Sequence, residues 1–375
     1  MQSKEPFLRD VLDASRNNFG AIRLAMALAV LVSHSYWLTT GQVALEPLHN
    51  LTGYTLGEHA VQVFFFLSGV VVTQSLMKSG SLLDFTLARA LRIFPALVVC
   101  VLLTAFVLGP AISTLAPAAY FSDTGVFAYV VRTLTLSTGS APLPGVFAET
   151  PVPNLVNLSL WTLKYEVACY ILLGVFGMVY LRFERLRSPL TVGLAVAVVA
   201  AFAGWTQPNE PFGFSDSLRY FVVFFGAGTL AYLMRDWLLL TWRALPPLFA
   251  LFVLSIGTDF VQLASALFLG YATLVVAAIP VGRLRSFTNV QDFSYGVYIL
   301  HCPIQQALVD RVDGMGSLEL AIVSTLIVVP LSIASWNLIE YPAIRARRSI
   351  VGLLRNDRLR DDADRLTERI SVMVH

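Results

Sequence analysis

Charge is the scarcest commodity in this 375-residue chain: Asp, Glu, Lys and Arg together make up 13% of it. A soluble globular domain carries about 25% charged side chains, so half the usual means of covering a water-facing surface is missing. That excludes a soluble enzyme. Cysteine is nearly absent as well, and Cys100, Cys169 and Cys302 all sit inside apolar runs. A disulfide framework and a CxxC metal or redox pair are therefore excluded, and no metal site is expected. The chain also lacks a glycine-rich phosphate loop, a repeat of solenoid period, and the small-residue cleavage site that would make its first apolar run a removable signal peptide. A net charge of +2 gives no reason to expect a nucleic-acid partner.

What the chain has in excess is apolar length. Hydrophobic residues make up 56% of it, gathered in runs that approach or reach the roughly 20 residues needed to cross a hydrocarbon core. They predict an all-α polytopic membrane protein of about ten transmembrane helices, near residues 20–38, 60–77, 91–112, 158–181, 189–205, 218–234, 245–257, 260–280, 293–309 and 318–339. The seventh is short unless Trp237 to Trp242 join it. The connection at 113–157 is long for a bare loop, and its apolar stretch at 126–136 predicts a short interfacial or re-entrant helix. The chain divides into an N-terminal segment, 1–19, a transmembrane domain, 20–342, and a charged tail, 343–375.

Basic residues sort to one set of connections: Lys4, Arg9 and Arg16; Lys78, Arg89 and Arg92; Arg182, Arg185 and Arg187; Arg235 and Arg243; Arg283 and Arg285; and the tail. The alternate set holds Arg132 with Glu46, Glu58, Asp123, Glu149, Glu210, Asp216 and Asp313. Because basic loops stay cytoplasmic, both termini are expected in the cytoplasm. The tail alternates charges with Ile350, Val351, Leu353, Leu354, Leu359 and Leu366, which reads either as an amphipathic surface helix or as a solvated charged segment.

Ionisable groups at membrane depth cost on the order of 2.5–3.5 kcal/mol on insertion scales, so each is a functional candidate. Arg23 and His34 are 11 residues apart, which brings them back to one helix face with a rise of roughly 16 Å. Taken singly, Arg23 reads as a snorkelling anchor and His34 as a polar residue at the outer interface; neither reading explains the shared face. Arg89 and Arg92, one turn apart, suit polyphosphate binding through their planar forks, or serve as ordinary positive-inside anchors. Glu166 cannot face lipid cheaply, and a structural salt bridge to Arg23, Arg132 or another helix is its plain alternative. Lys164, two residues away, points elsewhere. His301 is a buried histidine of either structural or catalytic use, and Glu340 a candidate for holding helix ends together.

The chain resembles the membrane-bound acyltransferase family 3 of bacteria, which O-acylates sugars on surface and exported polysaccharides. The matching stretches are Arg23 to His34, an Arg-x10-His signature; Val63-Phe-Phe-Phe-Leu-Ser-Gly69, which holds Ser68; Arg89-x-x-Arg92-Ile-Phe-Pro95; Ser159-Leu-Trp161-Thr-Leu-Lys-Tyr-Glu166; Ser294-Tyr-Gly-Val-Tyr298 to His301; and Glu340-Tyr-Pro342. They occur in the family's order. Leu158 stands where relatives usually have Gly, and Lys164 where Pro is common, which touches the backbone shape ahead of Glu166.

The resemblance implies a stand-alone O-acyltransferase of the bacterial cytoplasmic (inner) membrane. No cofactor is bound permanently; acyl-CoA, with acetyl-CoA foremost, is the donor substrate, and the acceptor is a polysaccharide or lipid-linked sugar. Arg89, Arg92 and Arg23 would hold the nucleotide phosphates. His34 would act as general base, with Glu166 and Arg23 beside it in the catalytic set; His301, Ser68, Trp161 and Tyr298 are further candidates. A proton-coupled transporter is the competing class, since intramembrane Arg, His and Glu describe one equally well.

Overall fold

A computed structural model of the chain describes residues 5–138, 141–203, 213–279, 282 and 291–354. Arg283, Arg285, Glu210, Leu359, Leu366 and the rest of the tail beyond 354 lie outside the described residues. The apolar runs form helices in the expected order: α1 (Phe19–Thr40), α2 (Leu56–Ser79) and α3 (Leu82–Ile112), then a short α4 (Thr124–Leu134). After them come α5 (Leu163–Arg182), α6 (Arg187–Ala203), α7 (Phe214–Leu233), α8 (Leu245–Ser255), α9 (Val261–Ala278), α10 (Ser294–Arg311) and α11 (Ser317–Ser335). Seven of these elements are long and apolar enough to cross a membrane: α1, α2, α3, α5, α6, α9 and α11. The described residues contain no β-strand, and the protein is an all-α polytopic membrane protein.

α7 and α10 have 20 and 18 residues but carry more polar side chains. α8 is the exception in length. Its 11 residues rise only about 16 Å, half a hydrocarbon core. The chain there still passes from one end of the bundle to the other, because Leu240 bonds to Pro6 near the start of the chain while Phe252 packs edge-on to His59 near the far end. α3 also departs from expectation. Ser81 caps it, so it starts at Leu82, and Arg89 and Arg92 sit about two and three turns inside the helix rather than at its opening. α11 runs past 339 through a π turn, Trp336–Glu340, and stays helical to Leu354. Arg347 then bridges to Asp84 at the start of α3.

The tightest seam lies between α2 and α7. A Cβ on Gly69 would collide with the carbonyl oxygen of Phe225, and one on Gly228 with that of Phe66. Small residues let the two backbones touch, which is how helices associate where lipid removes the hydrophobic incentive. Thr73 and Thr229 bond across the same seam at 3.1 Å. The long connection after α3 folds back on the bundle: Tyr120, Val126, Tyr129, Val146 and Phe147 are all buried. The expected short helix is present as α4. Tyr120 donates to the Ala105 carbonyl inside the π turn Thr104–Leu108.

Candidate active site

The end of the bundle where α1 begins gathers arginines and acids from four helices. Asp292, just ahead of α10, accepts from Arg23 and from Arg92, both at 2.9 Å. The other fork nitrogen of Arg92 reaches Glu340 at 3.0 Å, where the π turn of α11 presents a carboxylate that is almost wholly buried. Burial alone would push the Asp292 carboxyl up; Arg23 and Arg92 outweigh it and hold the group below the usual range. Arg92 also lies over the rings of Tyr295 and Trp336. Its charge is thus used inside the protein, tying α3 to α10 and α11.

Arg89 is held differently. Among the described residues no carboxylate bridges it, its Nε is buried without a hydrogen bond, and its guanidinium stacks on the ring of Tyr170. The Nε of Arg23 is also buried and unbonded. Glu166 accepts a short hydrogen bond from the Tyr170 hydroxyl, one turn further along α5, and that hydroxyl lies 3.4 Å from Ser68. Glu166 makes no salt bridge among the described residues.

Eleven residues up α1, His34 meets His301 of α10, Nδ1 to Nε2, at 2.9 Å. Hydrogen-bond logic orders the pair. His301 Nδ1 lies 3.1 Å from the Val297 carbonyl, which can only accept, so that nitrogen carries the proton and Nε2 is the acceptor. His34 Nδ1, the nearer group, then donates to it, and the Ser159 hydroxyl lies 3.2 Å from the same nitrogen. A neutral His34 with its proton on Nδ1 keeps the lone pair of Nε2, the form a general base needs.

Two cavities lie along α1. The first holds about 830 Å³ of empty space, its mouth included, and is lined by Arg23, Arg89, Arg92, Glu166, Tyr170 and Ser68 among others. The second holds about 1420 Å³ on the same measure and is lined by His34, Trp37, Trp161, Glu46, Glu58 and Tyr220 among others. Val61 and Tyr298 border both. One cavity is rich in guanidinium, and the next presents an imidazole. Comparison with known proteins decides the class: an acyltransferase domain profile matches residues 16–339.

The chain belongs to the acyltransferase 3 family.

It is an acyltransferase, which sets the transporter reading aside. It is 33% identical to an O-acetyl transferase of Shigella phage Sf6 over 339 residues, 86% of this chain and 95% of the relative. It is 28% identical to Nodulation protein 10 of Rhizobium leguminosarum bv. viciae over 368 residues, 90% and 95% of the two chains. No solved structure matches it significantly.

The acyltransferase brings together some of the residues expected from its sequence and separates others. Arg23, Arg89, Arg92, Glu166 and Ser68 share the basic cavity; His34 and Trp161 share the other. Glu166 is not the partner of His34. The neighbour that orders that imidazole is His301, 267 residues away in sequence. Lys164 stacks over Tyr165 and Phe214, away from the cavities. The segment carrying Leu158 forms a 3₁₀ turn, Leu158–Thr162, pinned to α10 by Leu158 N–H to Cys302 Sγ, Ser159 to His301 and Thr162 to Tyr298.

Asp292 and Tyr170 escaped the sequence reading. Tyr170 was within reach, because it stands four residues after Glu166 and so on the same helix face. Asp292 lies in a connection between apolar runs and gives no periodic signal of its own.

Proposed function

We propose that the protein transfers a short acyl group, acetyl foremost, from cytoplasmic acyl-coenzyme A to a sugar hydroxyl of an exported or surface glycan, at a bacterial inner membrane with both termini in the cytoplasm. The observation that carries this reading is the juxtaposition of a guanidinium-rich cavity and an imidazole cavity along one helix, at a rise of roughly 16 Å. The printed name of the phage relative, an O-acetyl transferase, supports the acyl group and the hydroxyl acceptor. The excess of basic residues in one set of connections supports the orientation.

The donor's phosphates bind at the basic end. Arg89 is best placed to hold them, because Arg92 is committed to Asp292 and Glu340, and Arg23 contributes through the face of its fork that Asp292 leaves open. The thioester reaches the second cavity, where the sugar hydroxyl lies against His34. Nε2 of His34 takes the hydroxyl proton as the oxygen attacks the thioester carbonyl. The tetrahedral intermediate collapses with cleavage of the carbon–sulfur bond, and the imidazolium returns its proton to the departing thiolate. His301 is a positioning residue. It keeps the His34 proton on Nδ1, much as a buried carboxylate orients the base of a hydrolytic triad.

Replacing His34 with Ala tests the reading. Acylation of the glycan is expected to vanish, a drop of about 10²–10⁴-fold for a lost general base, while the protein still accumulates in the membrane at wild-type level. Ester retained on the glycan of a His34→Ala strain refutes the assignment.

A further inference from the structure

The two cavities are neighbours with very few residues in common. Val61 of α2 and Tyr298 of α10 are the described residues that line both. On the basic side Phe64, one turn along α2 from Val61, sets its ring edge-on to Tyr298 at 5.7 Å. The Tyr298 hydroxyl is 2.7 Å from Thr162 Oγ1, so the ring is held between α10 and the 3₁₀ turn ahead of α5. Tyr298 is only 8% exposed although it borders both spaces. The partition between them therefore consists of an isopropyl group, a phenyl ring and a tethered phenol. It carries no charge.

That composition has a chemical consequence. Phosphates have strong partners on the arginine side and none at the partition, so the anionic end of a donor stays behind. A neutral thioester and a short alkyl chain meet only apolar surface and one hydroxyl, and pass. Bulk is what the partition discriminates, because the surrounding helices are packed and each methylene in a close-fitting passage is felt.

Building on the acyl-coenzyme A reading, we infer that Val61, Phe64 and Tyr298 form the aperture through which the thioester end of the donor enters the His34 cavity, and that their size limits the transferred group to short acyl chains. These are specificity-determining residues. The aperture, more than either cavity, selects the acyl group.

The test uses membranes from a strain expressing the full chain, with radiolabelled acetyl-, butyryl- and hexanoyl-coenzyme A as donors. Label entering glycan is counted, and coenzyme A binding to the purified protein is titrated separately. Val61→Trp is expected to cut transfer from every donor at least about tenfold, a loss larger than any fall in its affinity for coenzyme A. Val61→Ala is expected to raise the butyryl-to-acetyl ratio about fivefold or more. Val61→Trp transferring at the wild-type rate, or Val61→Ala with an unchanged chain-length profile, overturns the aperture. Should Val61→Trp fail to accumulate, the ratio shown by Val61→Ala decides. A wild-type protein that labels glycan from none of the three donors defeats the functional reading instead, and the aperture falls with it.

Discussion

Between α2 and α7 the helices meet backbone to backbone. Gly69 and Gly228 leave no room for a Cβ against the carbonyls of Phe225 and Phe66. Between α1 and α10 polar contacts are added to an apolar packing of Ala27, Leu31 and Val297. His34 meets His301, and Gln305 donates to the Leu31 carbonyl and to the hydroxyls of Ser35 and Ser324. The first seam is closed chiefly by shape, with one hydroxyl pair across it, whereas the second adds a set of hydrogen bonds to its apolar packing. The difference teaches where this enzyme keeps its rigidity and where it keeps its chemistry. Both cavities border α1 and α10, whereas the glycine contacts of the α2–α7 seam line neither.

The contrast can be broken first at the glycines. Gly69→Val places a branched side chain against the Phe225 carbonyl, and overpacking of backbone on backbone has no cheap relief. Monodisperse protein after detergent extraction is expected to disappear. A variant that runs as wild type on gel filtration would show the seam to be looser than described.

The polar region divides further into charge that supports structure and charge left for a ligand. Arg92→Ala strips both Asp292 and Glu340 of a buried partner, and breaking such a pair costs about 3–5 kcal/mol. A large fall in thermal midpoint is expected. Arg89→Ala removes no ion pair, so the midpoint should hold while the dissociation constant for coenzyme A rises about tenfold, the worth of one charge-assisted contact. Equal losses of stability in the two variants would erase the distinction between them.

Most of the architecture was legible in the sequence, since an apolar run long enough to cross a membrane announces itself without knowledge of its neighbours. The helical ends were less so. The start of α3 depended on a Ser81 cap, and the brevity of α8 on where its helix stops, just ahead of Gly257 with its φ of 81°. In the candidate site, the shared face of Arg23 and His34 followed from helix periodicity alone. The partner of His34 did not, because no rule of local spacing links residues 34 and 301. For the same reason the sequence leaves the partner of Glu166 open, and the structure places this carboxylate in the arginine cavity.

The 3₁₀ turn at Leu158–Thr162 touches the machinery twice within four residues: Ser159 bonds the histidine pair, and Thr162 bonds the phenol of Tyr298. A rigid turn this short cannot shift at one contact and stay still at the other. With the roles proposed for His34 and Tyr298, drift in the sequence of this segment alters proton handling and acyl passage together, and substrate range is not adjusted here without retuning the base.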